Sequence, residues 1–175
     1  MSWASPAARP SARLAASPRV MRCRATSQPF VATKTRAEYF ATDQRPIILF
    51  DGVCNMCNGG VNLALDWDKE GRCRFAALQS EVGKNLLVEC GRGADNISSI
   101  VLVEEGAHWV KSDAVLRIGQ LLEMPIPILA SLAFPVPSFI RDGVYDTVAD
   151  NRYSVFGYSD SCRLGDDRFA DRFVQ

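Results

Sequence analysis

The sequence predicts an α/β protein built on one mixed, four-stranded sheet. Three observations carry that prediction. Short runs of β-branched and aromatic residues alternate with stretches of helical spacing. The last two runs are joined by a four-residue turn. The pair Cys54-Asn-Met-Cys57 stands directly behind the first run, which says where chemistry is to be sought.

The first strand is Ile47-Ile-Leu-Phe50, apolar throughout, opened by Pro46 and closed by the turn dipeptide Asp51-Gly52. A helix is expected from the C-x-x-C to about Lys69. Met56, Gly60, Leu63 and Trp67 share one of its faces, Val61, Ala64 and Leu65 widen it, and Gly71 stands in the C-cap place. Gly59-Gly60 costs such a helix about 1 kcal/mol per glycine. The missing side chains serve either the approach of a partner to the sulfurs or close packing on the sheet.

Arg74 to Leu78 is the second strand. Ser80 opens a helix carrying Val82, Leu86, Leu87 and Val88, ended by Gly91-Arg-Gly93. Ser98 to Val103 is the third strand, Glu104 to Ala107 the turn, and His108 to Lys111 the returning strand. Ser112-Asp113 then caps a helix with Val115, Ile118, Gly119 and Leu122 at helical spacing.

The order is β-α-β-α-β-β-α. A crossover helix makes the first two strands parallel, and the tight turn makes the last two antiparallel. This is the topology of a thioredoxin-like core, reached without reference to the cysteines. The C-x-x-C falls after the first strand, where that fold keeps its redox pair. One departure stands out: redox proteins of this fold usually hold a proline ahead of the third strand, and Asp95-Asn-Ile-Ser-Ser99 has none. Substrate contact there must differ.

Extra C-terminal helices follow. Met124 to Ile140 is strongly apolar but cut by four prolines, and reads as a short core helix rather than a membrane-surface element. Ser138 to Asn151 reads as a helix with Ile140, Val144 and Val148 on one face.

Before Glu38 there is no acidic residue, whereas seven are basic amid Ala, Ser and Pro. That composition reads as a transit peptide, and the prolines favour the chloroplast over the mitochondrion. Cleavage is expected near Cys23 to Ala25. The alternative is a disordered basic arm that binds nucleic acid. The remainder carries 13 basic against 20 acidic residues, net −7, which argues against nucleic acid. No apolar span is long enough for a transmembrane helix. The chain thus divides into a leader, 1–36, one domain, 45–165, and a tail, 166–175.

At the first turn of a helix, free backbone N–H groups and the macrodipole stabilise a thiolate. Cys54 is expected there, near the surface, as the attacking sulfur, with Cys57 one turn deeper to resolve a mixed disulfide. Asp51 either pushes the Cys54 thiol up by its charge or accepts a proton from one of the thiols. The chemistry needs no bound cofactor.

Asp51-Gly-Val-Cys54-x-x-Cys57, Ser112-x-Ala114, Tyr145-x-x-x-Ala149-x-Asn151-Arg152-Tyr153 and Phe156-Gly157 together closely resemble the thiol-disulfide oxidoreductase DCC family. The resemblance spans about Ile47 to Leu164. It implies a thioredoxin-like enzyme, a disulfide oxidoreductase whose catalytic residues are Asp51, Cys54 and Cys57. Its partner is a protein or small-molecule thiol or disulfide, and it brings no known substrate.

Three rival readings are weighed against this. Zinc needs four ligands, and Cys73, Cys90, Cys162 and His108 form no second close pair. Phosphotransferases with an aspartate nucleophile want a second Asp where Val53 stands. A non-catalytic interaction module with a structural C-x-x-C disulfide is the remaining alternative. Cys73 and Cys90 read as buried thiols, His108 as a surface residue, and Cys162 as a residue able to reach the pair if the tail folds back. Arg141, Asn151 and Arg152 either bind an anion or tie the last helix to the sheet; the second reading is preferred.

Overall fold

The computed structural model describes residues 30–158 and 167–175. The elements are α1 (Arg36–Phe40), β1 (Ile47–Phe50), α2 (Asn55–Asp66), β2 (Arg74–Ala77), α3 (Glu81–Glu89), β3 (Val101–Val103), β4 (His108–Val110), α4 (Lys111–Leu121), α5 (Ile126–Ala133), α6 (Ser138–Phe156) and a 3-10 segment (Asp167–Arg172). The sheet runs β2-β1-β3-β4. β1 pairs parallel with β2 and antiparallel with β3, and β3 pairs antiparallel with β4. This is the thioredoxin-like mixed sheet that the order of elements predicts.

β1 is apolar throughout because both of its faces are covered. Ile48 and Phe50 meet α2 and α4 through Val61, Ala64, Ala114 and Ile118. Ile47 and Leu49 face the other way, into a cluster with Val82, Leu86, Leu87 and Phe40. Ser80 caps α3 by accepting a hydrogen bond from the Gly83 N–H at 3.1 Å, worth about 1 kcal/mol. A Cβ on Gly83 would lie 2.2 Å from the Ala77 carbonyl oxygen, so α3 sits closer to β2 than any side chain permits.

Several boundaries differ from expectation. α2 stops at Asp66 with Trp67 as its C-cap. Gly71, at φ +72°, instead closes a separate turn held by its N–H to the Asp68 carbonyl. β3 pairs only over Val101–Val103. α4 starts at Lys111 with Val110 as N-cap, so Ser112 and Asp113 are no caps. Ser112 is buried and donates to Asp142, while Arg141 pairs with Asp113, tying α4 to α6.

The apolar stretch after Met124 is not a core helix. Of α5 only Ala130 is buried, and Leu132 is 71 % exposed. Gly119 lets α5 close on α4, since a Cβ there would lie 2.9 Å from that of Ala130. α6 runs past Asn151 to Phe156. Ile140, Val144 and Val148 point outward, because the face turned inward is the one carrying Tyr145, Ala149 and Arg152.

The packed body extends beyond 45–165 at both ends. Phe40 lies in the core, and the Thr33 N–H donates to Asn85. Beyond the 3-10 segment, Phe173 packs on Phe75 and the Val174 N–H donates to the Phe75 carbonyl. Arg172 forms a buried ion pair with Asp68. No helix among the described residues is long and apolar enough to cross a membrane.

Candidate active site

β1 ends at Phe50, and four residues later Cys54 becomes the N-cap of α2, with extended backbone at φ −93° and ψ 122°. Its carbonyl accepts the Asn58 N–H at 2.9 Å, the first bond of the helix. Cys57 follows one turn on. Both sulfurs are free thiols. The Cys57 thiol lies well above the ordinary range; burial is the largest cause, followed by its hydrogen bond to Cys54, the charge of the Cys54 sulfur and that of Asp51. The Cys57 thiol therefore keeps its proton at neutral pH.

The expected exposure of Cys54 is not what the structure shows. Cys54 is 0 % exposed, whereas Cys57 is half-buried. The cause is the end of α6, which returns across the start of α2. Cys54 and Tyr158 form an antiparallel backbone bridge, and the Asn55 N–H donates to the Gly157 carbonyl. The Asn55 side-chain amide donates to the Phe156 carbonyl at 2.9 Å and to that of Tyr158 at 3.2 Å. Gly157 turns the chain there at φ +73° and ψ −174°, a region reserved for glycine. Tyr158 stacks on Tyr153 with ring centroids 4.4 Å apart. Phe156–Tyr158 thus forms a strap over Cys54.

Asp51 is buried against the same helix. Its carboxylate accepts from Tyr153, from Gln79 at 2.7 Å, from Arg152 at 3.1 Å and from the Val53 N–H at 3.2 Å. Burial pushes the carboxyl up, but the Tyr153, Gln79 and Arg152 hydrogen bonds outweigh it, so Asp51 lies below the ordinary carboxylate range. Burial and the hydrogen bond to Asp51 push the Tyr153 phenol up to about 12. Arg152 also donates to the carbonyls of Ile97 and Ala149, at 3.0 Å each. Asp51, Cys57 and Arg152 border one small cavity of about 40 Å³.

The structure therefore brings Asp51, Cys54 and Cys57 to one place. Arg152 does tie α6 to the body, but through Asp51 as well as the backbone before β3. Arg141 reaches Ser112 and Asp113, and the Asn151 amide donates within its own helix, to Thr147. Cys73 and Cys90 are buried, and burial pushes both thiols up, Cys73 to about 12. His108 is exposed on the edge strand. Cys162 lies outside the described residues. Among those residues, no group of three or more His, Cys, Asp and Glu side chains converges as metal ligands would.

Sequence reasoning missed Gln79, Asn55 and the direct contact of Tyr153 with Asp51. Tyr153 stands in the motif string beside Arg152, which is the sequence signal for it. Gln79 had none, lying between a strand end and a helix cap.

The profile of the family described as DCC1-like thiol-disulfide oxidoreductase matches residues 48–158. A relative in Arabidopsis thaliana, named "DCC family protein At1g52590, chloroplastic", is 52 % identical over 131 residues, 75 % of this chain and 76 % of that protein. The Bacillus subtilis (strain 168) protein named "Uncharacterized protein YuxK" is 39 % identical over 128 residues, 73 % of this chain and 93 % of that one. No solved structure matches.

Proposed function

The chain belongs to the DCC1-like thiol-disulfide oxidoreductase family, and from that premise we propose that it exchanges a dithiol for a disulfide through Cys54 and Cys57. The observation that carries the reading is the placing of two free thiols one turn apart at the start of α2, with Cys54 as its N-cap and the Cys57 thiol pushed up by burial. Cys54, held against the helix N-terminus, attacks one sulfur of a partner disulfide and expels the other as a thiol. Cys57 then gives up its proton and attacks the Cys54 sulfur. A Cys54–Cys57 bond forms and the second partner thiol leaves.

Asp51 acts in this scheme as a fixed negative charge, not as a base. Four hydrogen bonds to its carboxylate keep it ionised and make it a poor proton acceptor. It also anchors α6, and with it the strap over Cys54. The strap must lift before Cys54 can react.

The site of action in this reading is the plastid. The acid-free, basic, proline-interrupted stretch ahead of the packed body and the chloroplastic name of the Arabidopsis relative support it. A fusion of the full chain to a fluorescent reporter should enter plastids, and deleting residues 1–25 should leave it in the cytosol.

Thiol trapping followed by redox titration tests the chemistry. One reversible disulfide should form per chain, between Cys54 and Cys57, while Cys73 and Cys90 stay reduced. A pair that remains dithiol across the whole range of potentials would contradict the proposal.

A further inference from the structure

Between α2, α4 and the sheet lies a cavity of about 340 Å³. Ile48 and Phe75 floor it, the exposed Leu63 and Val115 rim it, and Cys57 and Tyr145 line both it and the small cavity at Asp51. The two spaces share Met56, Cys57, Ile100 and Tyr145 in their walls. Apart from the Cys57 thiol and the Tyr145 hydroxyl, the lining side chains of the larger one are all apolar. The volume lies within the range of small-molecule sites, about 300–1,000 Å³. With no charged side chain in the wall, a charged group entering would lose its water and gain no partner.

Gly60 lines the same cavity, and a Cβ there would meet nothing within 4 Å. Close packing therefore does not explain that glycine. Its missing side chain leaves the space beside Cys57 open.

An extended polypeptide is poorly served at this site. To pair beside the C-x-x-C it would need free backbone groups ahead of β3. There the Ile97 carbonyl already accepts from Arg152 at 3.0 Å, and the Ile100 N–H already donates to the Tyr145 hydroxyl at 2.9 Å. α6 has taken both.

We propose that the cavity receives the apolar arm of a small, uncharged disulfide, which makes such disulfides, rather than extended polypeptides, the substrate class of the Cys54–Cys57 pair. This rests on the dithiol chemistry proposed above. With the arm in the cavity, the S–S bond of R–S–S–R lies at the Cys57 end. Once the strap has lifted, Cys54, one turn from Cys57, attacks one sulfur, and the first RSH leaves with the proton that Cys54 gives up. Cys57 releases its proton and attacks Cys54, and the second RSH leaves. Two electrons pass from the protein to the substrate, and the Cys54–Cys57 disulfide remains.

The test is single-turnover oxidation of the pre-reduced full chain by dialkyl disulfides, from dimethyl to dibutyl. Each second-order rate is divided by that of the same disulfide with free dithiothreitol. The normalised rate should rise about fourfold per methylene added to each arm, as burial of a CH₂ implies, and glutathione disulfide should fall below dibutyl disulfide. Gly60→Leu projects into the cavity without a backbone clash, and its fold is checked by circular dichroism. It should flatten the chain-length dependence to about twofold overall. Val115→Trp, which narrows the rim from α4, should flatten it too. A wild-type rate independent of chain length would overturn the proposal, as would an unchanged slope in both variants, or a polypeptide disulfide such as insulin outpacing dibutyl disulfide. Failure to exchange with any disulfide would instead overturn the dithiol chemistry on which the proposal rests.

Discussion

Replacing Arg152 by methionine should cost about 3 kcal/mol of stability at neutral pH, and the cost should shrink in acid. Methionine keeps most of the side-chain volume but leaves Asp51, 3 % exposed, without its only cationic partner among the described residues. Breaking one side of a buried ion pair typically costs about 3–5 kcal/mol. The lower figure applies because Asp51 keeps Tyr153, Gln79 and the Val53 N–H. In the wild type Asp51 lies below its ordinary value. Its contribution is therefore present above the unfolded value, about 3.9, and is lost as pH falls through the depressed folded one. In the variant, burial without the guanidinium raises the folded value, so the chain regains stability as Asp51 takes up a proton. The second change narrows the gap between the two proteins from pH 7 toward about pH 4, and the first adds to it only below about pH 3.9. Urea unfolding of both at the two pH values measures it. A gap under about 1 kcal/mol at pH 7, or one of equal size at both pH values, would refute the reasoning.

Two further outcomes follow from particular contacts. Asn55→Ala removes two hydrogen bonds that hold the strap, so alkylation of Cys54 at pH 7 should speed up about tenfold, from a loss of about 1–3 kcal/mol; an unchanged rate would show that the strap does not control access. Gly83→Ala forces a Cβ against the Ala77 carbonyl and should destabilise the domain by about 3 kcal/mol in thermal or urea unfolding, whereas a neutral effect would mean that α3 can shift off β2.

The sheet was legible because its signals are local. β1 reads as buried on both faces from four consecutive apolar residues, and the hairpin of β3 and β4 from the turn between them. The C-x-x-C at a strand-to-helix junction placed the sulfurs correctly at the start of α2. What escaped is non-local. Composition alone could not say that α5 faces solvent, since an apolar helix reads as core wherever it lies. On α6 the spacing of the apolar positions Ile140, Val144 and Val148 predicts the packing face, but Tyr145 and Arg152 decide which face turns inward, by bonds to Ile100 and Asp51. The burial of Cys54 depends on Asn55 meeting Phe156–Tyr158, about a hundred residues away, and no periodicity reports such a contact. The choice between two readings of Gly60 needed the open space beside it.

The same burial sharpens the contest between an enzyme and a scaffold, because a structural C-x-x-C would also be covered. Trapping in plastid extracts decides it most directly. The chain is added as Cys57→Ser and, separately, as Cys54→Ser, and each is resolved by non-reducing electrophoresis and mass spectrometry. If Cys54 attacks and Cys57 resolves, Cys57→Ser should accumulate a mixed disulfide through Cys54, because its usual exit is attack by Cys57, while Cys54→Ser captures nothing. Equal behaviour of the two variants, with no adduct on either and a wild-type pair that stays inert, would contradict the account and leave the pair as structure.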